Sequence, residues 1–188
     1  VDGVNVKDVT QHELRDHIGY VPQKGTLFTG TIESNLRYAK EDATEEELAK
    51  AAEIAQALEF IEEKPERYET AITQGGTNVS GGQRQRLSIA RALVKKPEIY
   101  IFDDTFSALD FKTDAKLRKA LNILCQETKS TVLLVAQRIS SIMHAERIVV
   151  LDKGEVVGIG NHEELMKSCE VYQEIAYSQL SKEELGNE

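Results

Sequence analysis

Cysteine, basic side chains and long apolar runs are scarce in this sequence, and each scarcity excludes a class of protein. The 188 residues include two cysteines, Cys125 and Cys169, which lie far apart without a CxxC spacing and favour packing roles over a disulfide or metal site. The net charge of -9 argues against a protein that binds phosphodiester backbones, because such binding needs clustered Lys and Arg. Apolar runs such as residues 132–136 are too short to span a bilayer, so we expect a soluble piece of about one domain.

Short apolar segments alternate with segments of helical periodicity, which predicts an α/β fold. The strands at residues 99–102 and 131–135 are predicted to be buried on both faces because they are apolar throughout. The predicted strands are residues 18–21, 99–102, 131–135 and a hairpin at 148–151 and 156–159. The predicted helices run from Thr44 to before Pro65, from Ser80 to about Lys95, and over residues 113–127.

A run of small and polar residues opens the second of these helices. Ser80 stands where an N-cap belongs, and Gly81 and Gly82 let the backbone approach a ligand closely. Free backbone N–H groups and the helix dipole at that end suit a terminal phosphate. The alternative is an ordinary serine-capped helix, and the strand that follows, ending in two aspartates, makes it the minority interpretation.

These consecutive aspartates end the apolar strand at residues 99–102. Asp103 is a carboxylate at the end of a strand, where it can bind a hard cation such as Mg²⁺. Asp104 follows it as a second carboxylate and is a candidate general base. The structural alternative for Asp104 is that it caps the turn into residues 107–110, and the two roles are compatible.

Together the two segments resemble the signature motif and the Walker B strand of ABC-type ATPases. They read Asn78-Val79-Ser80-Gly81-Gly82-Gln83-Arg84-Gln85-Arg86 and Ile99-Tyr100-Ile101-Phe102-Asp103-Asp104. The likeness continues through a Q-loop-like Tyr20-Val21-Pro22-Gln23, an exporter-like Phe28-Thr29-Gly30-Thr31-Ile32, an X-loop-like 69–76 and a D-loop-like Ser107-Ala108-Leu109-Asp110. It implies a P-loop NTPase-like (RecA-like) α/β fold, with a mostly parallel sheet and a helical signature subdomain, that lacks the N-terminal strands and P-loop.

The resemblance also implies a composite nucleotide site for ATP and Mg²⁺. The implied nucleotide-binding residues are Ser80, Gly81, Gly82, Gln83, Gln23 and Asp110. Asp103 and Gln23 would hold Mg²⁺ through water, and Asp104 and Gln137 occupy the catalytic positions.

Both catalytic positions depart from the family pattern. Asp104 stands where a glutamate is usual, and its carboxylate is set back by roughly 1.5 Å, about one C–C bond. Gln137 stands where a histidine is usual, and an amide keeps the hydrogen bonding but cannot become cationic. Two such changes in one half-site predict a slow or inactive site.

The sequence contains no GxxxxGK[ST] motif and no aromatic residue ahead of one. In the family both lie upstream of a start like Val1-Asp2-Gly3, so we expect an N-terminally truncated domain whose missing strand flanks the Walker B strand. Such a fragment is expected to bind ATP poorly, to lack hydrolysis, and to expose apolar surface that favours oligomers or partial disorder.

The resemblance also divides the chain into parts. Residues 33–97 form the expected helical signature subdomain, residues 1–32 and 98–165 the core, and residues 166–188 a C-terminal helical tail. The acidic stretch after Ser178 is expected to be a solvated helix or a frayed end. His162 is expected to start a helix.

An intact signature beside a weakened Walker B and switch position predicts the degenerate half of a heterodimeric ABC exporter of the multidrug type. It would complete a competent site on a partner nucleotide-binding domain and couple ATP to efflux of drugs or lipophilic compounds through transmembrane domains. We expect it at the cytoplasmic face of the cell membrane, with no nucleic-acid partner.

Three alternatives remain. A homodimeric exporter ATPase that tolerates Asp104 and Gln137 would show full turnover without replacement of either residue. A soluble ABC protein of chromosome maintenance or translation would need coiled-coil insertions, paired cassettes or a basic surface. A pure interaction module would not need the phosphate-binding arrangement that begins at Ser80.

Overall fold

The computed structural model describes residue 1 and residues 3–180 of the chain. They belong to two compact units, one over Val1–Val135 and one that begins at Ala136. The helices in the described residues are α1 (Gln11–Asp16), α2 (Ile32–Arg37), α3 (Glu45–Ile54), α4 (Leu58–Glu62), α5 (Gly81–Val94), α6 (Phe111–Thr128), α7 (Ile139–Ile142), α8 (His162–Ser168) and α9 (Glu170–Gln179). The strands there are β1 (Ile18–Val21), β2 (Gly30–Thr31), β3 (Ala71–Ile72), β4 (Ile99–Asp103), β5 (Thr131–Val135), β6 (Ile148–Asp152) and β7 (Glu155–Gly160). Short 3₁₀ turns lie at Arg67–Glu69, Gln74–Gly76 and Thr105–Ala108.

A parallel sheet of order β1-β4-β5 is the base of the first unit. β1 pairs with β4 from Ile18 opposite Ile99 to Val21 opposite Phe102. Val21 and Phe102 are fully buried, and helix α5 packs against β1. The predicted α/β class with a parallel sheet is therefore confirmed. We expected a further strand to flank the Walker B-like strand β4. Both edges of β4 are paired, with β1 and with β5, so that expectation is wrong for the described residues.

The predicted burial of β5 on both faces is wrong. Val132 is 39% exposed, and Leu133 and Val135 are each 54% exposed. Among the described residues β5 is the edge strand of its sheet, with β4 on one side only. The apolar sequence therefore predicted the strand correctly, but it did not predict whether other elements pack over both faces of that strand.

Helices α2, α3 and α5 pack together beside the sheet. Both predicted N-caps are confirmed, because Thr44 and Ser80 each form a capping box with the residue three positions on. The single helix predicted from Thr44 to before Pro65 is wrong, since Gln56 has a left-handed φ of 57° and separates α3 from α4. The guanidinium of Arg86 donates to the carbonyl of Gln56 at 2.8 Å, which holds this break in place.

The second unit has its own core. β6 and β7 form the predicted antiparallel hairpin, with α8 and α9 packed beside it. His162 is the first residue of α8, as predicted, and its Nδ1 lies 2.8 Å from the hydroxyl of the buried Tyr172. Most of the predicted acidic tail lies in residues 181–188, outside the described residues, and the subdomain boundaries at 33, 97 and 166 stay predictions. None of the described helices is both long enough and apolar enough to cross a membrane.

Glu47 on α3 connects three segments of the first unit. Its carboxylate accepts hydrogen bonds from Lys96 at 2.7 Å, from Lys40 at 2.9 Å and from the Thr44 backbone at 3.0 Å. These donors, Lys96 first, lower the pKa of Glu47 from 4.5 to about 2. The Glu47 side chain remains 18% exposed, so its carboxylate can be protonated from solvent.

We expect the stability contributed by Glu47 to disappear on acidification. A carboxyl whose pKa is lower in the folded state stabilises the fold above its unfolded pKa of 4.5, and this contribution is lost as pH falls towards about 2. Glu47→Gln should therefore lower the unfolding midpoint at pH 7 and flatten its dependence on pH between those values. Urea unfolding followed by circular dichroism measures both effects. The exposed Glu53→Gln is the matched control, and equal behaviour of the two variants would contradict the assignment.

Candidate active site

The parallel pairing of β1 with β4 brings four polar side chains to one end of the sheet. Because Tyr20 lies opposite Ile101, it shares a face with Asp103, two residues further along β4. The Tyr20 hydroxyl donates to Asp103 Oδ2 at 3.0 Å, and Gln23 Nε2 donates to Asp104 Oδ2 at 3.1 Å. The structure thus brings together Gln23, Asp103 and Asp104, three residues predicted from the sequence.

The main chain of Asp104 is in the left-handed region, with φ 42° and ψ 31°. Its N–H donates to the carbonyl of Val135 at 2.9 Å, and its own carbonyl accepts from the Ser107 hydroxyl at 2.8 Å. The turn after β4 is therefore capped by the backbone of Asp104, with no side-chain cap. This arrangement leaves the carboxylate to interact with Gln23.

Tyr20 was not predicted as a site residue. The hydrogen bond to Asp103 raises the pKa of Tyr20, because the negative carboxylate favours the protonated phenol. Tyr20 therefore remains a hydrogen-bond donor at neutral pH. The available sequence signal was the period-2 alternation of β1. Val21 lies on the buried face of the sheet, so Tyr20 lies on the opposite face.

The signature segment forms the N-terminus of α5, as predicted. Ser80 Oγ accepts from the Gln83 N–H at 3.2 Å, and Gln83 Oε1 accepts from the Ser80 N–H at 3.1 Å. Within the described residues the N–H groups of Gly81 and Gly82 have no hydrogen-bond partner. A Cβ added at Gly81 would meet nothing within 4 Å, so there is room beside this helix start. That is the geometry of an anion site at a helix N-terminus.

The D-loop-like segment lies beside this helix start. A Cβ added at Gly82 would lie 3.8 Å from the carbonyl oxygen of Ala108. Asp110 is the N-cap of α6, and its Oδ1 accepts from the Thr113 N–H at 2.9 Å. That N–H lowers the pKa of Asp110 and keeps it ionised. The structure therefore shows a capping role for Asp110, and its predicted contact with nucleotide stays a prediction.

Gln137 belongs to the second unit. Its carbonyl accepts from Gln179 Nε2 at 2.8 Å, and Gln179 Oε1 accepts from the Ile139 N–H at 2.9 Å. Gln179 thus fixes the backbone around the switch-like segment within that unit. The catalytic role predicted for Gln137 stays a prediction.

A buried amide attaches the Gln23 segment to the signature helix. Gln85 on α5 is 2% exposed. Its Oε1 accepts from the Gly25 N–H at 2.7 Å, and its Nε2 donates to the carbonyl of Pro22 at 3.2 Å. A Cβ at Gly25 would lie 2.7 Å from Gln85 Oε1, so only glycine permits this approach. We did not predict this role. The sequence did place a glutamine among the apolar positions of α5, and a buried amide of that kind indicates a specific hydrogen-bond partner.

Arg91, six residues further along α5, makes a second attachment. Its Nη2 donates to the carbonyl of Thr26 at 2.9 Å, and its guanidinium lies 5.2 Å from the ring centroid of Phe28. Burial of the guanidinium lowers the pKa of Arg91. Residues 22–28 are therefore held on α5 at both ends.

The donor set at the end of the sheet fits a magnesium ion. Asp103, Asp104 and Gln23 offer carboxylate and amide oxygens, and Mg²⁺ prefers oxygen ligands while keeping several waters. The described residues contain no cluster of three or more His, Cys, Asp or Glu that could enclose a metal.

A family model described as ABC transporter matches residues 1–107. The chain belongs to the ABC transporter family. The similar ABC proteins include the ATP-dependent lipid A-core flippase of Desulfotalea psychrophila, 47% identical over 173 residues, which are 92% of this chain and 30% of the flippase. The beta-(1→2)glucan export ATP-binding/permease protein of Rhodopseudomonas palustris is 45% identical over 180 residues, 96% of this chain and 30% of that protein.

Among solved ABC structures, a bacterial Atm1-family ABC exporter with ATP bound matches with a TM-score of 0.91 and 35% identity. The match covers 96% of this chain and 32% of the exporter chain. The fold is thus that of an ABC exporter's ATP-binding domain, which confirms the resemblance drawn from the sequence. The chain spans about a quarter to a third of the length of the relatives it matches.

We expect Gln85→Leu to destabilise the first unit by about 1–3 kcal/mol, because it leaves the buried Gly25 N–H and the Pro22 carbonyl without their partner. Urea unfolding followed by circular dichroism measures the change in the free energy of unfolding. Gln126→Leu, on the exposed face of α6, makes the same chemical change without a buried partner and serves as the control. Equal stabilities for the two variants would show that the amide does not hold the segment.

Proposed function

We propose that this chain is the ATP-binding domain of an ABC exporter and couples ATP binding and hydrolysis to efflux of a substrate. Drugs or lipophilic compounds are the proposed substrate class. The domain works at the cytoplasmic face of the cell membrane, paired with a second nucleotide-binding domain and joined to transmembrane domains. The family match and the exporters among its relatives support this assignment.

The observation that carries the proposal is the open N-terminus of α5. Ser80 and Gln83 use each other's backbone N–H, which leaves those of Gly81 and Gly82 without a hydrogen-bond partner among the described residues. The 14-residue helix behind them adds its dipole, so a phosphate of a nucleotide held by a partner domain is stabilised there. This domain therefore supplies an intact signature to its partner's site.

The domain's own site is proposed to be degenerate. Aspartate at position 104 is one methylene shorter than the family's glutamate, and glutamine at position 137 cannot carry a proton at neutral pH. The left-handed backbone at position 104 accommodates this aspartate, because aspartate is enriched in that conformation. ATP at this site would hold the two domains together while hydrolysis occurs at the partner's site.

The side chains of this domain have separate tasks in that scheme. Bound Mg²⁺ would supply charge neutralisation for the phosphates. Asp103 would hold the waters of the ion, and Gln23 would orient a water against Asp104 through the amide that now contacts Asp104 Oδ2. Gln85 holds the Gln23 segment in place on the signature helix α5. Both composite sites would therefore depend on the position of this one helix.

Gly81→Asp separates the phosphate role from simple helix capping. A carboxylate in the first turn stabilises α5 by about 0.3–1 kcal/mol, and the open space at Gly81 accepts the side chain. The same charge repels a phosphate by roughly 4 kcal/mol in contact near the surface, a loss of roughly 100- to 1000-fold. We therefore expect an unchanged or higher melting temperature together with loss of ATPase activity at the partner's site.

Gly81→Asn is the control, since it has the same shape without the charge. Its loss of activity should be much smaller than that of Gly81→Asp. If both variants keep full activity in the assembled exporter, Ser80–Gln83 is only a helix cap and the proposed function fails.

The degenerate site is tested by restoring the residues that the family uses. Asp104→Glu with Gln137→His should raise turnover at this domain's own site by about 100-fold, the scale on which a misplaced catalytic group costs rate. The measurement is ATP binding and hydrolysis by the complete dimer, with the partner's own catalytic position disabled so that its activity does not contribute.

Asp42→Glu with Gln126→His, both exposed, makes the same chemical changes elsewhere and controls for nonspecific effects. Tight ATP binding with negligible turnover in the unmodified domain agrees with the proposal. Full turnover without the changes would show that Asp104 is an adequate base, and the homodimeric exporter ATPase would be the better description.

A further inference from the structure

Each of the two adjacent aspartates receives a hydrogen bond from the segment around β1. Tyr20 donates to Asp103, and Gln23, three residues later, donates to Asp104. Both contacts join residues more than 80 positions apart in the sequence, 83 and 81 respectively. The pair of donors therefore exists only because β1 and β4 run parallel in this register.

Packing alone does not account for the tyrosine. Tyr20 is 55% exposed, whereas its neighbour Val21 faces the core and is fully buried. An exposed ring contributes little to the core, so the specific feature of Tyr20 is its hydroxyl. That hydroxyl reaches along the sheet to Asp103 at 3.0 Å.

The contact restrains Asp103 while leaving part of it available. Tyr20 binds Oδ2, and among the described residues no hydrogen bond reaches Oδ1. A carboxylate held by one oxygen has a fixed side-chain rotamer and a defined direction for its other oxygen. Hydrogen bonds from a second layer of residues orient ligands in this way at metal sites.

We propose that Tyr20 is a positioning residue for Asp103, and that its hydroxyl orients this carboxylate towards the magnesium ion of the nucleotide site. The inference rests on the proposed function, because it assumes that the domain binds ATP with Mg²⁺. Tyr20 touches neither nucleotide nor ion, and acts through Asp103. Gln23 has the corresponding task at Asp104.

Tyr20→Phe tests this with the least change in shape. In the intact ABC polypeptide that carries this chain, the melting temperature is measured with ATP while Mg²⁺ is titrated, and again with ATP and excess EDTA. Loss of a ligand-orienting hydrogen bond typically weakens a metal site by 10–100-fold; because Tyr20 is partly exposed, we expect an increase of about 3- to 10-fold in the Mg²⁺ concentration at half-maximal stabilisation. ATP-dependent stabilisation in EDTA and the melting temperature without ligand should stay unchanged.

Tyr38→Phe is the matched control, because Tyr38 is 68% exposed and its ring packs on Phe28. It should leave the Mg²⁺ dependence as it is in the parent. In an Asp103→Ala background, Tyr20→Phe should cause no further shift, since the hydroxyl then has no carboxylate to orient.

The outcomes separate the two proposals. Parent protein that is stabilised by ATP and Mg²⁺, with Tyr20→Phe giving the same Mg²⁺ midpoint, overturns the role of Tyr20 and leaves the proposed function intact. A lower melting temperature of Tyr20→Phe without ligand, with no change in Mg²⁺ midpoint, also overturns it by showing a structural role. Absence of any ATP-dependent stabilisation in the parent overturns the proposed function and this inference together.

Discussion

The buried amide of Gln85 is the interaction on which the arrangement of the first unit depends. It fixes the backbone at Pro22 and Gly25 against α5, and Gln23, one of the two residues between these attachments, contacts Asp104. Hydrogen bonds from Gln85 to the main chain around Gln23, and from the Gln23 amide to Asp104, thus connect the signature helix to the residue that follows β4. Buried, fully paired polar groups specify one geometry, because any displacement leaves an unsatisfied donor or acceptor. The start of α5 and the aspartate pair are therefore held in one fixed relation within this unit.

Local elements were predictable because their signals are local. Thr44 and Ser80 identify their helix starts by capping boxes, and the apolar run before Asp103 identifies β4. The break at Gln56 was not predictable, since the helical period continues through it and the cause is a contact with Arg86, 30 residues away. The exposure of β5 was missed for a related reason: sequence shows that a strand is apolar but not which neighbours cover it.

The residues proposed for the site could be named from the sequence, but the residues that hold them in place could not. Ser80 to Gln83, Gln23, Asp103 and Asp104 all came from motifs, whereas Tyr20, Gly25 and Gln85 became visible only through distances. The backbone conformation of Asp104 could not be read from any motif. It is left-handed, which favours aspartate for reasons separate from catalysis. The short side chain at this position thus has a conformational explanation beside the chemical one, and both can act together.

The sequence separation of β1 and β4 bears on how the domain folds. Helices α2 to α5 lie between these strands in the sequence. The residues that contact each other among these helices are closer together in sequence than the paired residues of β1 and β4. Pairing Ile18 with Ile99 closes a loop of some 80 residues, and closure of long loops costs entropy that slows non-local pairing. The helical part should therefore gain order before the parallel sheet closes. Asp103 and Asp104 acquire their donors only in that last stage, so a partly folded chain carries a formed signature helix without a formed aspartate site.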